Sequence, residues 1–121
     1  MSKTILIVDD SSSVRSVVGI ALKGAGYDVI EACDGKDALN KMTGQKIHLI
    51  VSDVNMPNMD GITLVKEVKK LANYKFTPIC MLTTEAGRSL MDEGKAAGAK
   101  AWIVKPFQPP KLLDVVSKLI M

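Results

Sequence analysis

Five short apolar runs, each followed by a stretch with apolar residues at helical spacing, constrain this chain more than any other feature of its sequence. The runs lie at residues 4–8, 28–32, 47–52, 78–82 and 101–104. Continuous apolar runs of this length suit strands covered on both faces. Between them, Val14, Val17, Val18, Ala21, Leu22 and Ala25 predict a first helix, with caps available at residues 11–13 and a stop at Gly26. Residues 36–42 predict a second, with Asp34-Gly35 before it and Gly44 after. Ile62, Leu64, Val65, Val68, Leu71 and Ala72 mark a third. The fourth, roughly residues 88–97, has Gly87, Gly94 and Gly98 in or beside it and is expected to be the most mobile. Pro109-Pro110 opens the fifth, with core positions Leu112, Leu113, Val115, Val116, Leu119 and Ile120. Strict strand–helix alternation predicts an α/β fold: a doubly wound, five-stranded parallel sheet with right-handed crossovers and helices on both faces.

At 121 residues and 47% hydrophobic content, residues 1–121 fit one domain that buries roughly two-thirds of its unfolded surface. Only four consecutive apolar residues precede Asp9-Asp10, too few for a secretory segment, and no run approaches a membrane span. A cytoplasmic protein with no membrane partner is expected. Cys33 and Cys80 lie in separate strand candidates without ligand-like spacing and read as reduced core thiols. His48, at the start of the third strand, reads as an ordinary strand-edge residue. The net charge of +3 is uneven: residues 1–85 carry ten basic and ten acidic side chains, residues 86–121 six and three. That excess is either a solvated face or a surface for an acidic partner. No basic run or aromatic platform accompanies it, so no nucleic-acid partner is expected.

In a parallel sheet of this kind the ligand site lies beyond the carboxyl ends of the strands. The first run ends in Asp9-Asp10, the third in Asp53, the fourth in Thr83, and Lys105-Pro106 follows the fifth. Pro57 blocks continuation of the third strand and Asn58, Asp60 and Gly61 form turns, so Asp53 is expected fixed on an exposed edge. Two carboxylates about 5 Å apart repel by roughly 3 kcal/mol at an effective dielectric near 20, so three require a cation or a proton. Hard oxygen donors open to water suit Mg²⁺ or Mn²⁺, with phosphate oxygens completing the shell. A remaining carboxylate can act as a nucleophile and form an acyl phosphate. Lys105 would then neutralise phosphoryl charge and Thr83 donate a hydrogen bond to it. Taken singly, each residue is also an ordinary cap or turn residue.

Asp9-Asp10, Asp53 followed by NMPNMDG, Thr83 and Lys105-Pro106-Phe107 together resemble the receiver domain of bacterial two-component response regulators, in order and over the whole chain. The loop after Asp53, the Thr83-x-Glu85 pair and the Lys-Pro-Phe ending are similar to the single-domain chemotaxis regulators of that family. The resemblance implies a flavodoxin-like (βα)5 fold with strand order 2-1-3-4-5. It implies phosphorylation of Asp53 by a histidine kinase, and a Mg²⁺ site of Asp10, Asp53, the main-chain carbonyl of Asn55 and, through water, Asp9. Lys105 would pair with a phosphoryl oxygen beside a cis bond to Pro106. Thr83 would shift, Trp102 would turn inward, and the surface of the fourth helix, fifth strand and fifth helix would change. That surface would meet a flagellar motor switch protein or another downstream protein, and a phosphatase is a further partner. Thr84 and Trp102 depart from the smaller residue and the tyrosine or phenylalanine usual in the family; Asn55 with Glu85 hints at short-lived phosphorylation.

A phosphate sink or phosphorelay intermediate would use the same residues. A Mg²⁺-dependent phosphatase of the haloacid dehalogenase kind is disfavoured, because Asn55 stands where its general acid would. A flavin-binding protein is disfavoured by two aspartates in the first loop, which would repel the flavin phosphate.

Overall fold

The strands and helices alternate without exception in the computed structural model, which describes residues 3–84 and 87–120. They are β1 (Thr4–Val8), α1 (Ser12–Gly24), β2 (Asp28–Ala32), α2 (Gly35–Lys41), β3 (Leu49–Ser52), α3 (Gly61–Lys69), β4 (Ile79–Thr83), α4 (Arg88–Ala97), β5 (Ala101–Val104) and α5 (Pro109–Leu119). All strands pair in parallel in the order β2-β1-β3-β4-β5. This is the flavodoxin-like (βα)5 order, and its direction reverses between β1 and β3.

Alternating strand residues face opposite layers. Ile5, Ile7, Leu49, Val51, Leu82 and Ile103 bury against Val18 and Leu22 of α1 and Leu112 and Val116 of α5. Leu6, Val8, Ile50, Ile79 and Met81 pack with Ala38 of α2, Leu64, Val65 and Val68 of α3, and the half-buried Leu90 and Ala97 of α4. Truncating a fully buried residue such as Ile50 to alanine would cost about 2–5 kcal/mol.

Local chemistry sets the helix ends. The side chains of Ser11, Asp34 and Asp60 accept hydrogen bonds from the N–H groups of Val14, Asp37 and Thr63 and cap α1, α2 and α3. Gly87 leaves α4 without a side-chain cap, and Gly98 ends it at φ 122°.

Several expectations shift. β3 begins at Leu49 rather than residue 47, because His48 N–H donates to the Thr4 carbonyl at 2.8 Å and its Nδ1 accepts from Thr4 N–H at 3.0 Å. α3 stops at Lys69, so Leu71 and Ala72 lie in the following turns. Val17 is 52% exposed and Ala25 is also exposed, so the buried stripe of α1 is narrower than the apolar pattern. Cys80 is buried, whereas Cys33 is exposed: β2 is an edge strand that ends at Ala32, which leaves Cys33 in the turn before α2. No helix among the described residues is long and apolar enough to cross a membrane.

Candidate functional site

The crevice between the ends of β1 and β3 collects the charged residues. Asp53 N–H donates to the Val8 carbonyl at 2.9 Å and Asp9 N–H to the Ala32 carbonyl at 3.1 Å, so both carboxylates are fixed where their strands end. The Asp53 carboxylate also accepts from Val54 N–H at 2.7 Å, and Ser52 Oγ donates to the Asp53 carbonyl at 2.8 Å. Asp53 is only 9% exposed, so it is recessed rather than set on an exposed edge.

Carboxylate oxygens of Asp9, Asp10 and Asp53 lie within 4.8 Å of one another. Asp9 and Asp53 are buried and Asp10 is exposed. Lys105 Nζ reaches Asp9 Oδ2 at 2.8 Å and Asp53 Oδ2 at 3.1 Å. Burial raises the Asp9 carboxyl above its ordinary value, against the opposing hydrogen bonds from Lys105 and Ser11 N–H and the Lys105 charge, and the Asp53 charge adds to the rise. Burial alone would lower the Lys105 ammonium, but hydrogen bonds and charges of Asp9 and Asp53 outweigh it and hold the group above its usual value. One ammonium thus faces three carboxylates, and the hard oxygen set fits Mg²⁺ or Mn²⁺ on donor chemistry.

Asp9, Asp10, Asp53 and Lys105 are thus brought together. Thr83, at the end of β4, is fully buried; Asn55 is exposed two residues beyond Asp53; the Lys105–Pro106 bond is cis. Glu85 lies outside the described residues. Trp102 stands opposite Met81 in the β4–β5 register and packs half-buried against the core beneath α4.

Other contributors are not evident in local sequence. Arg15 Nη1 donates to the Asp9 carbonyl at 2.6 Å while its Nε pairs with Glu31 at 3.1 Å, bracing the first loop. A Cβ at Gly61 would fall 2.1 Å from the Asp53 carbonyl oxygen, so glycine there is a requirement of close approach. Asn58, at φ 67°, donates from Nδ2 to Asp34 Oδ2 at 2.7 Å and ties the loop after Asp53 to the cap of α2. A Cβ at Gly94 would lie 2.7 Å from Trp102 Cζ3; the indole occupies a notch in α4 that only glycine leaves open. Arg15 carried no signal in its spacing. The two glycines did stand out as glycines, but not as contact points.

Residues 5–117 match the family described as the response regulator receiver domain. The chemotaxis protein CheY1 of Helicobacter pylori is 40% identical over 112 residues, which cover 91% of this chain and 90% of that protein. The crystal structure of the Vibrio cholerae chemotaxis protein CheY4 is 47% identical, with a TM-score of 0.95 over 99% of this chain and 100% of that one. The receiver domain of a sensor histidine kinase from Pseudomonas aeruginosa, with a magnesium ion coordinated in its active-site cleft, is 26% identical, with a TM-score of 0.90 over 98% of each chain. The chain therefore belongs to the response regulator receiver domain family, as a CheY-like member closely related to the chemotaxis CheY proteins.

Proposed function

We propose that this chain, a single domain, is a stand-alone response regulator that accepts a phosphoryl group on Asp53 from a phosphohistidine of a histidine kinase and thereby switches its binding to a protein of the chemotaxis machinery. A receiver domain works by its own phosphorylation and dephosphorylation, not by turnover of a separate substrate. The observation that carries the reading is Lys105 bridging Asp9 and Asp53 where three carboxylates converge.

An Asp53 oxygen attacks phosphorus as the bond from phosphorus to the histidine nitrogen breaks, and the imidazole leaves as a neutral ring when its other nitrogen carries a proton. Asp53 is held at its strand end by Val54 N–H, which orients one oxygen and leaves the other toward Lys105. Lys105 then transfers its hydrogen bond from carboxylate to phosphoryl oxygen. Asp10, Asp53, the main-chain carbonyl of Asn55 and, through water, Asp9 would hold a divalent cation, which would supply further neutralisation of phosphoryl charge. Thr83 donates to a phosphoryl oxygen, and its movement frees space toward which Trp102 turns.

A partner must reach this recess. A cavity of about 480 Å³ runs from Lys105 along Val14 and Val17 of α1 to Phe107 and Pro109. Val17 and Ile20 are 52% and 71% exposed on the same helix. An apolar helix of the phosphodonor seats there and presents its histidine to Asp53. The changed α4–β5–α5 surface then meets a flagellar motor switch protein; the relatives named as chemotaxis proteins support a role in that pathway.

The test is capture of that motor protein by beryllofluoride-activated wild type and by Asp53→Asn. Retention by the activated wild type alone is expected. Equal retention by both, or by neither, contradicts switching of that partner, and the second result favours a phosphate sink.

A further inference from the structure

Each of the five helices has lysine in its last turn: Lys23, Lys41, Lys66 with Lys69, Lys95 and Lys118. A cation at a helix C-terminus complements the helix dipole and accounts for these. It does not account for Lys46, Lys75 and Lys100. These stand in the loops entering β3, β4 and β5, which are neighbours in the sheet, and all three are exposed. None forms an ion pair among the described residues. Residues 42–48, 71–78 and 98–100 contain no acidic side chain. Lys69, whose Nζ donates to the Thr77 carbonyl at 3.2 Å, lies close enough to Lys100 for the two charges to interact unfavourably.

The same edge has apolar relief. Two adjoining hollows of about 270 and 260 Å³ share Gly44, Asn73 and Tyr74, with Ile47 in one and Met42 and Leu71 in the other. Tyr74 OH donates to the Gln45 carbonyl at 2.7 Å and accepts from Gly44 N–H at 3.1 Å, so the loops bordering the hollows are tied together. Beside them Phe76 is 86% exposed, with Lys75 Nζ 5.1 Å from its ring centroid.

We infer that this edge docks an acidic polypeptide segment of a partner protein, which sets an apolar side chain into the hollows beside Tyr74 and packs against Phe76. The charge selects an acidic partner. The hollows select a polypeptide: they are side-chain sized and of mixed lining, with Met42, Ile47, Leu71 and Tyr74 set among polar groups, and one aromatic is no stacking platform. β4, five residues long, separates this edge from Thr83 by about 17 Å. A partner held here leaves the Asp53 recess open, so it tethers the protein whatever its phosphorylation state.

The probe is a fluorescein-labelled decapeptide of alternating glutamate and leucine, titrated with the full chain by fluorescence anisotropy. Binding is expected, weakening about tenfold between 0.05 and 0.5 M NaCl. It should weaken at least tenfold in Lys46→Glu/Lys75→Glu/Phe76→Ala, whose unchanged Tm shows an intact fold, and stay the same in Asp53→Asn. Equal binding by the triple variant overturns the inference. So does loss in Asp53→Asn, or tighter binding of a single-stranded oligonucleotide or a phosphatidylglycerol vesicle than of the peptide.

Discussion

Asp9 is the residue whose energetics the fold tolerates for the sake of the site. It is buried, it faces Asp53, and its carboxyl is raised by desolvation although Lys105 donates to it. A carboxyl whose folded value exceeds its unfolded one costs stability once pH is above both. Asp9→Asn keeps an acceptor for Lys105 and removes that charge, so it should stabilise the metal-free protein at neutral pH, seen as a higher Tm. Mg²⁺ binding to the folded state should raise the Tm of wild type more than that of the variant. A thermal scan with and without Mg²⁺ checks both signs. Asp34 behaves oppositely: the Asp37 N–H and then the Asn58 amide hold its carboxyl below its ordinary value. Its contribution is present above the unfolded value and is lost as pH falls through the lower folded one. Asn58→Gly keeps the positive φ and removes the amide. The Tm difference between wild type and this variant should therefore be largest near neutral pH and shrink in acid; a constant difference would mean that the bond acts without regard to charge.

Among the elements, α4 is expected to be the most mobile. Its N-terminus lacks a side-chain cap, and Gly94 is its one buried residue. That glycine receives the Trp102 ring, so indole and helix cannot change independently. Gly94→Ala adds a methyl where no space exists and should push the indole toward solvent, seen as a red shift of Trp102 emission in the resting protein and a smaller change on adding beryllofluoride with Mg²⁺. An unaltered spectrum would show that α4 yields instead. Native-state hydrogen exchange should find α4 amides opening faster than those of α3, whose Asp60 cap and five buried residues hold it. The bounds of α4 and the start of α5 were legible because Gly87, Gly98 and Pro109 punctuate them. Those of β3 and α3 were blurred: Ile47 is apolar because it belongs to the core just before β3, and Leu71 because it packs against that core just after α3, not because they extend an element.

At the scale of the molecule, strand order and layering follow from alternation, and one edge of a parallel sheet must gather what every strand ends in. Hence Asp9, Asp10, Asp53, Thr83 and Lys105 could be read as one constellation before any contact was known. The contact that organises them could not, since Lys105 and Asp9 are 96 residues apart and only the completed sheet sets their 2.8 Å separation. Exposure was equally hidden: Asp53 is recessed because α3 approaches its carbonyl at Gly61, a distance that no spacing in the sequence encodes. The resulting molecule is polar, with carboxylates around the recess and unpaired lysines at the opposite edge. The proposed switch turns on Asp53 as the covalent acceptor. Incubation with a phosphorylated histidine kinase and Mg²⁺, borohydride trapping of the acyl phosphate as the alcohol, and peptide mass mapping test this most directly. The modification should fall on Asp53 alone and be absent from Asp53→Asn; modification at Asp9 or Asp10 instead, or none in wild type, would contradict it.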